Sequence, residues 1–270
     1  MGTTSIWFLE ELEVYRTVKP YRLDFDPEDD DFPRTNVQRT NIPDVPIQDI
    51  RKHEGSLDFA KCGFGILSLP KTITLLDMDD FGLVQKQYYQ CIERTVEEST
   101  QKLHPGAKAI ALDHKFPVST GMNYDDAQPV LVAHIDWTPG SIQKKLQNVL
   151  GNDRTSEILS KNYQFCHAWR PLVGPLNDFP LAVVDYSSVN PETDYELTDD
   201  VYEGVGVDEN YLLYHRPEHK WYYISGHMPT ELLLFRQFDS VAHCAIPNPV
   251  PSESIVPRQS IEVELIIYWD

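Results

Sequence analysis

Residues 130–137 read VLVAHIDW, and this stretch places a histidine and a carboxylate two positions apart on a predicted strand. Successive side chains of a strand point to opposite faces, so His134 and Asp136 share one face. Val130 and Val132 lie on that face too, which predicts that the pair points into the interior of a barrel. Alone, the tripeptide is a weak indicator, because a buried histidine beside a turn aspartate gives the same pattern.

Short predicted strands separated by turn residues fill most of the chain after residue 105. They are expected at 108–114, 130–137, 163–170, 181–186, 210–215, 220–224, 231–238 and 260–268. An amphipathic helix is expected from Asp79 to Leu103, and a shorter helix at 139–150. No βαβ alternation and no Gly-rich phosphate loop is visible. The pattern predicts a mainly β protein: a double-stranded β-helix (jelly-roll or cupin-like) core with flanking α-helices.

The first 50 residues are rich in Pro and Asp and include the acidic run at 26–31. They predict an irregular N-terminal strap. A chain of 270 residues is long enough to form one large β-rich domain with its own core. We therefore expect a single domain over 1–270, with the strap at 1–50 and the β-helix core at 105–270.

The composition gives a formal net charge of −19, from 23 Lys and Arg against 42 Asp and Glu. A field of that sign repels phosphate backbones and anionic lipid, which disfavours nucleic-acid and membrane-surface partners. We see no secretory signal, no apolar run of membrane-spanning length and no C-x-x-C pair. The expected location is the cytoplasm, with reduced cysteines. The sequence does not indicate an oligomeric state.

An imidazole and a carboxylate that share one face, such as those of His134 and Asp136, are candidate ligands of one metal ion. A third ligand is then expected from a late strand, on the opposite side of the barrel. His243 meets this requirement just after the predicted strand at 231–238. Two histidines and one carboxylate on one face of a metal leave the opposite face open, which suits Fe(II) oxygen chemistry. A closed structural zinc site would have four protein ligands, usually including thiolates. The sequence predicts His134, Asp136 and His243 as the catalytic iron ligands.

Arg258 opens the last predicted strand and shares a face with Ser260. A guanidinium and a hydroxyl supply the donors that bind the distal carboxylate of 2-oxoglutarate, although a surface arginine at a strand start is the plainer interpretation. Glu262 and Glu264 continue this face. Either a β-bulge changes the register after Ser260, or these glutamates lie at the polar opening of the barrel.

Arg170 follows Trp169 on the predicted strand at 163–170 and allows two interpretations. Either it orients a substrate or co-substrate carboxylate from inside the barrel, or it stacks on Trp169 and pairs with an acidic side chain. His114 and His167 are expected to be structural, because three ligands already complete the metal set.

Several motifs, in this order, resemble those of the fungal AsaB-type hydroxylase/desaturase family, which includes gibberellin desaturase-like proteins. They include the H-x-D strand, WRPL at 169–172 and PRQSIEV at 257–263. Further similar stretches lie at 63–64, 88–89, 106–107, 113–114, 138–139, 174–175, 180–182, 221–223, 238–240 and 243–245. The similarity runs from about residue 45 to the end of the chain, and the combined order is specific.

The resemblance implies a non-haem iron dioxygenase that requires Fe(II), 2-oxoglutarate and O₂. It implies oxidation of a small secondary metabolite by hydroxylation, desaturation or oxidative cyclisation, with release of succinate and CO₂. By position, it places the iron ligands at His134, Asp136 and His243, and the 2-oxoglutarate anchor at Arg258. Two alternatives stay open from the residues alone: a cupin-like metal enzyme that does not use 2-oxoglutarate, and a non-catalytic jelly-roll binding protein.

Overall fold

Two β-sheets form the body of the protein. The computed structural model describes residues 2–28, 31–53, 55–70, 84–115, 129–237, 241–250 and 255–270. In chain order its strands are β1 (Gly2–Leu9), β2 (Tyr21–Leu23), β3 (Arg39–Asp49), β4 (Phe64–Ser68), β5 (Lys108–Lys115), β6 (His134–Ile135), β7 (Asn162–Pro171), β8 (Leu181–Val184), β9 (Tyr195–Tyr202), β10 (Gly206–Leu213), β11 (Trp221–Tyr223), β12 (Glu231–Arg236), β13 (His243–Ala245) and β14 (Ser260–Trp269).

The larger sheet has the spatial order β1-β3-β11-β8-β13-β6-β10-β9-β2, and the smaller sheet has the order β4-β12-β7-β14-β5. Trp169, Leu233 and Phe235 of the smaller sheet pack between the sheets, against residues such as Val183 and Tyr222 of the larger one. The molecule is therefore mainly β with two facing sheets, as a jelly roll requires.

The helices lie outside this sandwich. They are α1 (Phe59–Cys62), α2 (Tyr89–Thr100, preceded by a π-helical turn at Val84–Tyr88), α3 (Pro139–Leu150) and α4 (Asn152–Leu159). Helix α3 has the predicted bounds, because Thr138 and Ser141 cap its first turn reciprocally. Ile92 and Val96 of α2 pack on the outer face of the smaller sheet. Residues 79–83 of the predicted long helix lie outside the described residues.

Strand β14 keeps a strict alternation along its length. Odd-numbered residues of 261–267 pack under α2, whereas Ser260, Glu262 and Glu264 point between the sheets. The two glutamates are only 7% and 1% exposed. Neither earlier explanation is therefore correct: no register change follows Ser260, and the glutamates lie inside the barrel. The irregularity lies in the partner strand β5, opposite Glu264.

The first 50 residues contain three strands, so the prediction of an irregular strap was wrong. Strand β1 pairs antiparallel with β3, and β3 runs parallel to β11. Val45 and Ile47 are buried and alternate with more exposed neighbours, a strand pattern that the prolines at 43 and 46 obscured. The amide of Ala133 donates to the carbonyl oxygen of Trp7 at 2.8 Å, so the N-terminal strand supports the segment before His134.

Three predicted strands, at 108–114, 163–170 and 260–268, correspond closely to β5, β7 and β14. The strand predicted at 130–137 forms a continuous strand pairing only at His134–Ile135. Before it, the Val130 carbonyl oxygen accepts a hydrogen bond from the Ala245 amide, whereas the Ala133 amide donates to Trp7 in a different strand. Among the residues that the structure describes, no helix has the length and apolar character that crossing a bilayer requires. All four cysteines are free thiols.

Candidate metal centre

Three side chains that are distant in sequence converge between the sheets. Strand β13 pairs with β6 so that His243 lies directly opposite His134, with ring centroids 4.3 Å apart. Asp136 Oδ2 lies 3.3 Å from His243 Nε2, and Asp136 Oδ1 lies 3.8 Å from His134 Nε2. One ligand atom from each residue lies within 4.8 Å of the other two. The structure thus brings together the three predicted ligands.

The protonation states of these residues suit metal binding. Burial, reinforced by His243, lowers the pKa of His134 to about 4, so its imidazole is neutral at pH 7. His134 Nδ1 donates a hydrogen bond to the Val132 carbonyl oxygen at 2.8 Å, which leaves the lone pair on Nε2. Burial opposes ionisation of Asp136, but Lys115 and the two imidazoles lower the pKa of that carboxyl well below its usual range.

The donor set fits Fe(II). Asp136 Oδ2 is buried and accepts no hydrogen bond from the described residues, although buried carboxylate oxygens ordinarily have a partner. Asp136 Oδ2 lies 3.3 Å from His243 Nε2. Two donor atoms that bind the same metal ion with bonds of about 2.0–2.2 Å are separated by a similar distance. Two imidazoles and one carboxylate form the facial donor set of non-haem Fe(II) oxygenases.

Arg258 shares a cavity of about 160 Å³ with the three ligands. Its buried guanidinium lies 4.9 Å from the centroid of the Trp169 ring. It donates to Ser260 Oγ at 3.1 Å and to the Phe179 carbonyl oxygen at 3.0 Å. Burial lowers the pKa of Arg258 to about 10, which leaves it charged at neutral pH. A cation at one end of the cavity and metal ligands at the other suit a small dicarboxylate.

Arg170 is not brought to this cavity. Strand alternation places it on the α2 face of β7, opposite to His167 and Trp169. Its Nε donates to Tyr88 Oη at 3.0 Å, and its Nη1 donates to the Pro229 carbonyl oxygen at 3.0 Å. The predicted position inside the barrel and the predicted stacking on Trp169 were both wrong, because the Arg170 guanidinium lies 5.1 Å from the centroid of the Tyr88 ring.

We expect Tyr88→Phe to lower the free energy of unfolding by about 1–3 kcal/mol, because a buried guanidinium donor loses its partner. Urea denaturation of both proteins measures this difference. The affinity for 2-oxoglutarate should not change, since the smaller sheet separates Tyr88 from Arg258. A variant with normal stability and weakened 2-oxoglutarate binding would contradict this placement of Arg170.

A layer of charged side chains that the sequence pattern did not predict surrounds Asp136. His167 Nδ1 lies 3.2 Å from Glu262 Oε1 and 3.6 Å from Asp136 Oδ2. Lys115 Nζ lies 3.5 Å from Asp136 Oδ1 and 3.5 Å from Glu264 Oε1. The alternation of Glu262 and Glu264 with apolar residues was the only indication of this layer in the sequence. The residues that these glutamates contact are determined by the pairing of β14 with β7 and β5.

The His167–Glu262 contact is a buried ion pair. Burial would raise the pKa of Glu262, but His167 lowers it to about 2. Burial also opposes the charge on His167, yet Glu262 and Asp136 outweigh it and raise the pKa of that imidazole. His167 was expected to be merely structural; it lies instead against a predicted metal ligand.

Comparison with known proteins identifies relatives along nearly the whole chain. A family profile described as an oxidoreductase/YMDC permease-like domain matches residues 7–268. The Fe(II)/2-oxoglutarate-dependent dioxygenase nvfI of Aspergillus novofumigatus is 27% identical over 240 residues, covering 83% of this chain and 82% of the relative. The hydroxylase/desaturase efuI of Hormonema carpetanum is 28% identical over 261 residues, covering 85% of each protein.

The solved structure of the iron and alpha-ketoglutarate-dependent endoperoxidase NvfI has the same fold. It aligns with a TM-score of 0.84 at 21% sequence identity, covering 98% of this chain and 97% of that chain. This likeness confirms the predicted jelly-roll class. Together with the profile match, the relatives confirm the motif resemblance: the chain is an oxidoreductase that belongs to the family of fungal Fe(II)/2-oxoglutarate-dependent dioxygenases and hydroxylase/desaturases.

Proposed function

We propose that this protein binds Fe(II) through His134, Asp136 and His243 and oxidises a small secondary metabolite with 2-oxoglutarate and O₂, releasing succinate and CO₂. The observation that carries the proposal is the single cavity that joins these ligands to the buried Arg258. Fe(II) and 2-oxoglutarate, when bound, supply the O₂ activation that oxidises a C–H bond of the substrate.

The residues around the cavity hold and orient the reactants. Arg258 binds the distal carboxylate of 2-oxoglutarate, and Ser260 fixes the guanidinium by accepting from its Nε at 3.1 Å. The Phe235 ring packs against His243 with centroids 4.8 Å apart, which fixes the imidazole and keeps water from one side of it. The amide of Asp136 donates to Gln237 Oε1 at 3.0 Å, which fixes the turn after β6.

We assign the organic substrate to a second cavity of about 300 Å³, which borders His134 and Asp136 but not Arg258. Its other walls include Tyr202 and Asn210 from β9 and β10. The position of the substrate C–H bonds in this cavity selects among hydroxylation, desaturation and cyclisation. A larger cavity of about 450 Å³ beside β4 and α2 borders none of the ligands, so we do not assign it to the substrate.

We also propose that the chain works as one oxygenase domain in the cytoplasm. The first strand, β1, and the late strand β13 belong to the same sheet, which supports a single domain. The free thiols of all four cysteines support a reducing compartment.

Anaerobic addition of Fe(II) and 2-oxoglutarate to the purified protein is expected to produce a visible charge-transfer band, because the 2-oxo acid chelates the bound metal. One equivalent of each should saturate the signal. Succinate, which lacks the 2-oxo group, provides the matched control and should give no band. A protein that binds Fe(II) without giving this band would not use 2-oxoglutarate, which would contradict the proposal.

A further inference from the structure

We propose that the protein contains a second metal site, formed by His167, His243 and Glu262, which takes Zn²⁺ and excludes Fe(II) from the first site. The two sites overlap because both require His243. The inference rests on the proposed function only in this respect: occupation of the second site withdraws His243, and Asp136 when it serves as a fourth donor, from the iron-binding set.

The distances within this second set resemble those of the first. One ligand atom from each of its three residues lies within 4.8 Å of the other two, and all three residues are buried. His167 Nδ1 and Glu262 Oε1 are 3.2 Å apart. Two neighbouring ligands of tetrahedral zinc, with bonds of about 2.0–2.2 Å, are separated by a similar distance. Two histidines and one glutamate also form a known type of zinc donor set.

The hydrogen bonding of His167 points to a missing ligand. Its side chain is completely buried; Nδ1 faces Glu262 Oε1 at 3.2 Å, and Nε2 has no hydrogen-bond partner among the described residues. His243 Nδ1 is likewise buried without a hydrogen-bond partner among the described residues. Buried polar atoms ordinarily have partners, and a bound cation would supply one here.

The surrounding charge also favours a divalent cation. Asp136 Oδ2 lies 3.6 Å from His167 Nδ1, so the Asp136 carboxylate is within reach of the second set as a fourth donor. Four protein donors would make a closed site, as in structural zinc centres, whereas the first set leaves a face open. For a given set of nitrogen and oxygen donors, Zn²⁺ binds more tightly than Fe(II), so the closed site would retain zinc in competition.

An ion can reach this second set through the cavity already described. Glu262 and His243 both line the 160 Å³ cavity that contains Arg258, and His167 lies directly behind them. Zn²⁺ at this position would therefore leave the protein folded but unable to assemble its iron centre.

The test removes the first site and measures what remains. His134→Ala lacks one ligand of the first site but keeps the second set intact, and we expect it to bind one Zn²⁺ per chain in a competitive chelator titration. Adding His167→Asn should weaken Zn²⁺ binding by about 100-fold or more, since loss of even an outer-shell partner costs about 10- to 100-fold. Co²⁺ used as a probe should give the intense visible bands of a tetrahedral site in His134→Ala and lose them in the double variant.

The matched control is His219→Asn in the His134→Ala background. His219 is also a buried histidine beside a carboxylate, with Nε2 3.0 Å from Asp194 Oδ2, but it belongs to neither group of convergent ligands. This control should leave Zn²⁺ affinity unchanged.

Equal Zn²⁺ affinity in His134→Ala and in its His167→Asn derivative would overturn the proposal and leave an ordinary buried ion pair. Glu262→Gln in the same background provides an independent test for the case that His167→Asn disturbs folding, and unchanged affinity there would also overturn it. Absence of the Fe(II)/2-oxoglutarate band in the unaltered protein would instead refute the proposed function. It would not affect these zinc measurements.

Discussion

His243→Ala is expected to abolish tight Fe(II) binding and to lower 2-oxoglutarate-dependent succinate release by more than about 100-fold. Loss of an outer-shell partner already costs about 10- to 100-fold, and His243 contributes a metal ligand directly. Its ring lies opposite His134 and 3.3 Å from Asp136 Oδ2. The variant would therefore keep only His134 and Asp136 of the three proposed iron ligands. Iron content after desalting and succinate release under O₂ measure the two effects.

His104→Ala provides the control for this loss. His104 stacks on Trp269 with ring centroids 4.2 Å apart and does not belong to the metal-ligand groups. The control should retain both iron and activity. Asp136→Ala should reproduce the loss seen in His243→Ala. Retention of full activity by both ligand variants would refute the assignment of the metal centre.

Arg258→Ala is expected to weaken 2-oxoglutarate binding by about 100-fold, because charge-assisted hydrogen bonds contribute about 1.5–3 kcal/mol each. Fe(II) affinity should change little, since the Arg258 guanidinium donates to Ser260 Oγ and to the Phe179 carbonyl oxygen and is not itself a metal ligand. Titration of the charge-transfer band with 2-oxoglutarate measures the affinity. A cupin-like enzyme that does not use 2-oxoglutarate would show no band for this variant to weaken.

Arg170→Met is the matched control for Arg258→Ala. Both arginines are buried, but Arg258 precedes β14, whereas Arg170 lies on β7, faces α2 and bonds to Tyr88. The control is expected to lose stability and to keep its 2-oxoglutarate affinity. If the two variants weakened 2-oxoglutarate binding equally, the effect would reflect general loosening of the sheet, and the anchor role of Arg258 would be wrong.

The parts of the site that the sequence predicted are those with local or chemically unique signals. The two-residue spacing of His134 and Asp136 fixes a shared direction on an extended chain, whatever the strand pairs with. Arg258 and Ser260 follow the same rule. His243 was predicted because the chemistry of an open iron site requires a third donor from another strand, and the structure aligns it opposite His134.

The parts that were missed depend on pairing between distant strands. A role for Arg170 inside the barrel stayed open because its face is defined by the position of α2, which no local pattern reveals. His167 was dismissed because only the register of β7 with β14 places it near Glu262. The N-terminal strands were missed because β3 contains two prolines and because its partners are β1 and the much later β11.

The hydrogen bonds around β6 determine when the protein can acquire its metal. The segment before His134 bonds to Trp7 from one end of the chain and to Ala245 from near the other. A ribosome releases the chain from its N-terminus, so His134 and Asp136 emerge long before the strand that carries His243. The centre therefore closes only after the segment that carries His243 has emerged and paired with β6, and iron is captured then from whatever divalent ions surround the protein.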